Sequence, residues 1–139
     1  MSIRRLLGNL RGEGGSLSIL MVVLVPGLLL IIGLAVDGGA KVQATQRANA
    51  IADEAARAGG QVIDRSAALG GEVKVDVAAA VAAARDYLAR NDVAGTVRVV
   101  DGDTLQVSTT ITEPTIFLGV IGITAMTVDG SGTADLVPD

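Results

Sequence analysis

The first strong pattern along the chain is an uninterrupted apolar run close to the N-terminus. Residues 17–36 read LSILMVVLVPGLLLIIGLAV and carry no charged side chain. A helix rises about 1.5 Å per residue, so this run spans roughly 30 Å, the thickness of the hydrocarbon core of a bilayer. We therefore predict a transmembrane helix over residues 16–36.

A membrane span has two alternatives, a buried core helix and a cleaved secretory signal peptide. A domain this small cannot cover such an apolar segment on every side, which argues against a core helix. The sequence GLAVDGGAK offers only a weak small-residue cleavage site, and the residues beyond it continue a helical pattern. The membrane span remains the preferred interpretation.

Two features of the sequence interrupt an ideal helix. Pro26 removes a backbone hydrogen bond, which predicts a kink between Val22 and Pro26. In lipid the freed carbonyl needs another partner, so the kink marks either a protein contact or a tolerated defect. Gly38 and Gly39 follow the span, and they permit a bend without requiring one.

Beyond the span, small or apolar residues recur three or four positions apart. This spacing predicts an amphipathic helix over residues 37–60, with Gly59 and Gly60 as its end. An alanine stripe allows close packing, either within its own domain, which we favour, or against neighbouring subunits. The candidate helix-packing residues are Pro26, Ala44, Ala48, Ile51, Ala52 and Ala55.

A second helix is indicated by VDVAAAVAAARDYLARND, with Asp76 as its N-cap and Asn91 and Asp92 at its end. Its predicted buried face comprises Val77, Ala80, Val81, Ala84 and Leu88.

After the second predicted helix, apolar and polar residues alternate with the two-residue period that is typical of β-strands. TVRVV and TLQVSTTIT predict a β-hairpin that turns at residues 101–103, and residues 124–137 predict a further strand or bulged strand pair, with residues 129–132 as a turn. Residues 116–123, IFLGVIGI, are too short to span a membrane as a helix. We expect them to plug the core, the alternative being an exposed contact patch.

Charge is distributed unevenly about the apolar run. Arg4, Arg5 and Arg11 precede it, whereas eight basic and fourteen acidic residues follow it. Because basic residues favour the cytoplasmic side, we predict an inside N-terminus and an outside C-terminus across the cytoplasmic membrane. The acidic remainder argues against a nucleic-acid partner.

Catalytic chemistry has little support in the composition. The chain has no Cys and no His, which excludes thiolate nucleophiles, imidazole bases and the usual zinc sites. Asp101, Asp103 and Thr104 lack the further oxygens of an EF-hand, and no Lys-Ser/Thr pair completes a phosphate loop. We expect no enzymatic activity, no cofactor, no metal and no small-molecule substrate.

Two segments carry a resemblance to a known family. Residues 11–64 contain a glycine-ended basic leader, an apolar helix with an early proline, Asp-Gly, and then Gln-Arg-Ala and Ala-Asp-Glu-Ala-Ala-Arg-Ala. This order resembles the N-terminal region of TadE/TadG-like proteins of the tight-adherence (Tad/Flp) pilus machinery. Residues 113–137, EPTIFLGVIGITAMTVDGSGTADLV, look like the end of the same proteins.

The resemblance implies a pilin-like α+β fold and a role as a minor pilin or pilus-assembly component. A basic leader (residues 1–15) would precede the transmembrane helix (residues 16–36). An extracytoplasmic domain (residues 37–139) would carry one further helix and a three- or four-stranded antiparallel sheet. The implied partners are the membrane, other pilin-like subunits or pilus-assembly proteins, and a prepilin peptidase.

The leader departs from the pilin pattern at one position. Pilin-type leaders are cut after a glycine, here between Gly15 and Ser16, and a glutamate follows five residues into the mature chain. Leu20 occupies that position, so the amine of a processed Ser16 would lack its usual carboxylate partner. The competing hypothesis is a membrane-tethered accessory or sensor domain that binds a cell-surface partner outside any pilus.

Overall fold

The computed structural model describes the backbone of residues 13–68 and 76–136, and the side chains of residues 17–62 and 76–136. The elements in chain order are α1 (Glu13–Ala68), α2 (Val77–Arg90), β1 (Ala94–Val100), β2 (Thr104–Pro114), a 3₁₀ turn (Leu118–Ile121) and β3 (Ala125–Asp135). The predicted α+β fold class is confirmed, with a long apolar N-terminal helix, a second helix and a three-stranded antiparallel sheet.

Helix α1 is one continuous element of 56 residues. It passes without interruption through Pro26 and through Gly38 and Gly39. The predicted end at Gly59 and Gly60 is wrong, because α1 continues to Ala68. Gly59 serves close packing instead, since a Cβ there would meet the Leu105 side chain and lie 2.9 Å from the carbonyl oxygen of Ala80.

Helix α2 agrees with its prediction in its cap and its buried face. The Asp76 carboxylate accepts a hydrogen bond of 3.0 Å from the amide of Ala79, which satisfies a donor of the first turn. Ala80, Ala84 and Leu88 are buried, while Val77 and Val81 are half-buried against the same cluster. Asn91 is the C-cap, as predicted.

The sheet has the order β1-β2-β3, with both pairings antiparallel. Strands β1 and β2 form the predicted hairpin, in which Val100 faces Thr104 across the turn. Asp101 and Gly102 have φ angles of 54° and 85°, a conformation that suits Gly and that Asp tolerates.

Strand β3 runs from Ala125 to Asp135 without a turn, so the turn predicted at residues 129–132 is wrong. Gly130 and Gly132 lie on the sheet face that packs against α1. A Cβ on Gly130 would lie 2.5 Å from the carbonyl oxygen of Ala48, and one on Gly132 would lie 2.6 Å from that of Ala52. These glycines therefore allow a close approach of helix and strand, which is a common use of glycine within strands.

The core lies between α1, α2 and the inward face of the sheet. Along β2, buried Leu105, Val107, Thr109 and Ile111 alternate with exposed polar residues. The buried side chains of the helices are mostly alanines, so the core is thin and contains no fully buried aromatic ring among the described residues. Hydroxyl and charged side chains occupy the outer face of the sheet, where Thr110 donates a hydrogen bond of 2.8 Å to Asp129.

Residues 116–123 do not enter this core, so the predicted core plug is wrong and the alternative of an exposed patch is correct. Ile116 and Val120 are 69% and 85% exposed. The physical reason is the close contact of α1 with β3 through Gly130 and Gly132, which leaves little space between helix and sheet for a large apolar insertion.

Candidate functional site

The apolar N-terminal half of α1 is exposed along nearly all of its length. Between Leu17 and Val36, Gly33 alone is buried, and large side chains such as Ile19 are exposed. Within the described residues, one helix is long and apolar enough to cross a membrane, and 6% of its apolar 18-residue window is buried. A core helix of a globular protein would be mostly covered, so this helix has the exposure of a segment solvated by lipid.

Asp37 is the first charged residue after this apolar half, and its side chain is a hydrogen-bond acceptor for three backbone amides. Oδ1 accepts from the amide of Ile116 at 2.9 Å, and Oδ2 accepts from those of Phe117 at 3.0 Å and Leu118 at 2.7 Å. Asp37 is 1% exposed in the folded chain. Its carboxylate thus fastens the segment after β2 to α1 at the end of the apolar half.

The hydrogen bonds also set the protonation state of Asp37. The amide of Ile116 has the largest effect and lowers the pKa of the carboxyl below its ordinary value, opposed by desolvation and reinforced by the amides of Leu118 and Phe117. Asp37 is therefore a carboxylate at neutral pH. A negative charge also suits this position because the amides lie at the start of the 3₁₀ turn.

Gly33 lies one helical turn before Asp37 on the same face of α1. The Phe117 side chain packs directly on it, since a Cβ at Gly33 would lie 2.6 Å from Cβ and 2.9 Å from Cγ of Phe117. Any larger residue at position 33 would push the aromatic ring away from the helix. Gly33 and Asp37 together form a seat for residues 116–118.

The same face of α1 continues from the seat in both directions. Toward the N-terminus, Pro26 and Leu30 line an open apolar groove against Leu118, Val120 and Ile121. The spacing of Pro26, Leu30, Gly33 and Asp37 follows the helical period. Toward the C-terminus, the face becomes the alanine stripe that packs under the sheet.

The candidate helix-packing residues divide between these two regions. Ala44, Ala48, Ala52 and Ala55 are buried and Ile51 is half-buried, all against the chain's own head. The buried hydroxyl of Thr109 donates a hydrogen bond of 2.8 Å to the carbonyl oxygen of Ala48. Pro26 lies apart from them, on the wall of the apolar groove.

The predicted leader lies largely outside the described residues. This applies to Arg4, Arg5 and Arg11, while Gly15 and Ser16 lie in the first turns of α1, where the backbone alone is described. Within residues 17–62 and 76–136, no group of three or more acidic side chains is close enough together to hold a metal ion.

The comparison with known families concerns α1. Residues 14–62 match the model of the family described as "Putative Flp pilus-assembly TadE/G-like". The resemblance predicted from residues 11–64 is confirmed. No curated protein and no solved structure matches the chain significantly.

The TadE/G-like match has clear limits in the fold. It begins at the start of α1, includes the bare apolar half and the alanine half, and ends at Val62. Helix α2, the sheet and the segment seated on Asp37 lie outside it, as does the second resemblance at residues 113–137. The family description names pilus assembly, and the match concerns α1 alone.

Sequence reasoning missed Asp37, Gly33, Gly130 and Gly132 as contact residues. Asp37 had one usable signal, because an acidic residue inside a helix directly after an uncharged apolar run needs a hydrogen-bonding partner. The sequence around the three glycines contains no signal that distinguishes close packing from a turn or a helix end.

Proposed function

We propose that this protein is a minor pilin or pilus-assembly component of a bacterial Tad/Flp-type pilus. It crosses the cytoplasmic membrane once through residues 16–36, with its N-terminus inside. The head, which begins at Asp37, lies outside. The observation that carries the proposal is the coincidence of the TadE/G-like match with α1, whose first half is bare and whose second half forms the head's core.

The unbroken helix supports a mechanical connection between membrane and head. Because α1 continues from the apolar half into the alanine stripe, a pull on one half is transmitted to the other. The contact is reinforced where the strand glycines meet the backbone of α1 and where the amide of Ser131 donates to Asn49 Oδ1 at 3.1 Å. Such a subunit can be moved as one body between the membrane and an assembling structure.

Contacts with neighbouring subunits would come from the apolar half of α1. The alanine stripe is already covered by the chain's own sheet, so it is unavailable in the folded head. Exposed residues of this half that do not line the groove, such as Leu28 and Ile31, remain available for helix packing. Apolar side chains leave lipid for protein most readily where they fit closely against another helix.

The proposal includes processing of the leader between Gly15 and Ser16 by a prepilin peptidase. Arg4, Arg5 and Arg11 would then be removed, and the new N-terminus would start the apolar helix. Leu20 in place of the usual acidic residue supports the second candidate, a tethered accessory domain that is never extracted into a filament. A permanent anchor would keep all three arginines.

Fractionation of the native host tests the proposal. Pili are sheared from the cells, and the protein is located in the pilus and membrane fractions. Mass spectrometry then defines its N-terminus. We expect the protein with pili or with pilus-assembly proteins and an N-terminus at Ser16, with Gly15→Leu as the uncleaved control variant. The accessory domain would be favoured if the leader is intact and the protein in the membrane fraction forms no cross-links to pilus proteins.

A further inference from the structure

We propose that the loop of residues 115–124, named the seated loop, inserts into the outer leaflet of the membrane beside α1 and forms a second membrane contact. This inference rests on the proposed orientation, with the head outside. It goes beyond the single-helix anchor, because it assigns a lipid-binding surface to the C-terminal part of the chain. That part lies outside the TadE/G-like match.

The seated loop exposes large apolar side chains that nothing in the head covers. Val120 is the most exposed of them, and Ile116, Ile121 and Ile123 are exposed as well. No charged residue occurs between Glu113 and Asp129, both of which belong to strands. An isolated soluble head would leave this patch in water at a substantial free-energy cost.

The position of the loop along α1 sets its depth. Phe117 packs on Gly33, and Leu118, Val120 and Ile121 face the groove that extends to Pro26. At about 1.5 Å per residue, Gly33 lies roughly 5 Å and Pro26 roughly 15 Å from the C-terminal end of the span at Val36. The loop therefore lies at the depth of the outer half of a hydrocarbon core about 30 Å thick.

Backbone hydrogen bonds make the loop compatible with lipid. The amides of Ile116, Phe117 and Leu118 donate to Asp37. Four further amides donate to carbonyl oxygens within the loop: Thr115 to Thr124, Val120 to Phe117, Gly122 to Gly119, and Ile123 to Leu118. The Thr115 hydroxyl also donates to the carbonyl oxygen of Ile123. These bonds pair seven of the loop's amides and so lower the free-energy cost of placing its irregular backbone at membrane depth.

Continuity with the span favours lipid over a second copy as the occupant of this surface. The exposed side chains of the loop and the bare side chains of α1 line the same groove, so the lipid that solvates one reaches the other. The seat on Gly33 and Asp37 fixes the loop against the span without help from a neighbour. Asp37 thus orients the head relative to the membrane.

The test uses the full chain in vesicles of phosphatidylethanolamine and phosphatidylglycerol. Because the chain contains no cysteine, Val120→Cys provides a unique site for an environment-sensitive fluorophore. Matched variants carry the fluorophore at Ser108, on the outer face of the sheet, and at Val23, in the span. All three positions are exposed in the isolated chain, so labelling does not disturb the core.

Quenching by lipids with a doxyl group on the acyl chain reports contact with hydrocarbon. We expect the label at Val120 to be quenched several-fold more than that at Ser108, and nearly as much as that at Val23. Quenching at Val23 with none at Val120 would overturn the seated-loop proposal and leave the anchor intact. No quenching at either position would refute the anchor itself. An apolar environment of the label at Val120 that exists only at a high protein-to-lipid ratio would mean that a second copy covers this surface. That result would overturn the proposal.

Discussion

The two halves of α1 invert the usual relation between side-chain size and burial. The N-terminal half carries leucine, isoleucine and valine, and nearly all of them are exposed. The C-terminal half carries alanines, and those of its stripe are buried. Burial is normally driven by removing large apolar surfaces from water, so the exposed half is stable only where water is absent.

The difference teaches that each half is adapted to a different neighbour. The apolar half needs bulk to contact lipid chains, whereas the alanine half needs small side chains so that the sheet backbone can approach. Gly130 and Gly132 provide the complementary small surface on β3. Gly33 and Asp37 lie where one mode of contact replaces the other, and both are covered by the seated loop.

The largest effect is expected from a charge in the exposed half. Leu28→Arg places a guanidinium near mid-span, which costs about 2.5–3.5 kcal/mol on insertion scales. We expect a strong loss of protein from carbonate-washed membranes. Gln46→Arg adds the same charge to an exposed position of the same helix beyond the span and should leave the yield unchanged. Equal membrane yields of the two variants would contradict a membrane span over residues 16–36.

The next largest effect is expected in the buried half. Gly132→Val forces a side chain into the backbone of Ala52, and overpacking of this kind costs about 1–3 kcal/mol or more. The urea midpoint for unfolding of the head in detergent should fall, while membrane insertion persists.

Gly38→Ala is the matched glycine control for that experiment, because the added Cβ would meet no atom outside its own stretch of helix backbone within 4 Å. Its higher helix propensity should stabilise α1 by up to about 1 kcal/mol. An unchanged midpoint for Gly132→Val would show that α1 and β3 are not in close contact.

A smaller and local effect is expected at the junction. Asp37→Asn removes the charge that accepts three amide hydrogen bonds, so the amides of Ile116, Phe117 and Leu118 should exchange with solvent faster in micelles. Asp53→Asn alters an exposed carboxylate on α1 and should leave these amides unchanged. If these three amides exchange at the same rate in Asp37→Asn as in the unmodified protein, the Asp37 carboxylate does not hold residues 116–118 against α1.

The same site predicts a pH dependence. The pKa of Asp37 is lower in the folded chain than its ordinary value of 3.8, so the folded state holds its proton less tightly than the unfolded state. Its stabilising contribution is complete above pH 3.8 and is lost as the pH falls through the folded pKa. Amide chemical shifts of residues 116–118 should titrate with a midpoint below 3.8, and a midpoint above it would contradict the assignment.

The smallest effect is expected from the ion pair between α1 and β2. Arg47 and Glu113 are 3.6 Å apart, with side chains that are 62% and 38% exposed. Solvent screening limits such a pair, so Arg47→Ala should destabilise the head by no more than about 0.5 kcal/mol. A double-mutant cycle with Glu113→Ala, measured by urea unfolding at low and high salt, should give a coupling near zero at high salt. A coupling above 1 kcal/mol would indicate a stronger role.

Local features of the fold were predictable from sequence, whereas contacts between distant segments were not. The cap at Asp76 and the turn at residues 101–103 depend on neighbours within a few positions, and both predictions are confirmed. The seat joins Asp37 to Ile116 across 79 positions, and no local pattern reports such a contact.

Glycine was the main source of wrong predictions. The sequence predicts a helix end at Gly59 and a turn at Gly132 because glycine favours both. In the structure each allows another backbone to approach closely, which depends on the tertiary partner. The apolar composition of residues 116–123 predicts a core position, but composition does not distinguish a buried segment from an exposed one.

Protease treatment of intact spheroplasts tests the central claim most directly. A membrane-impermeant protease should digest the chain beyond Asp37 and leave a protected fragment that contains residues 17–36. Disruption of the membrane should add no further cleavage of the head. A head that is fully protected in intact spheroplasts and cleaved only after lysis would place it inside the cell and contradict the account.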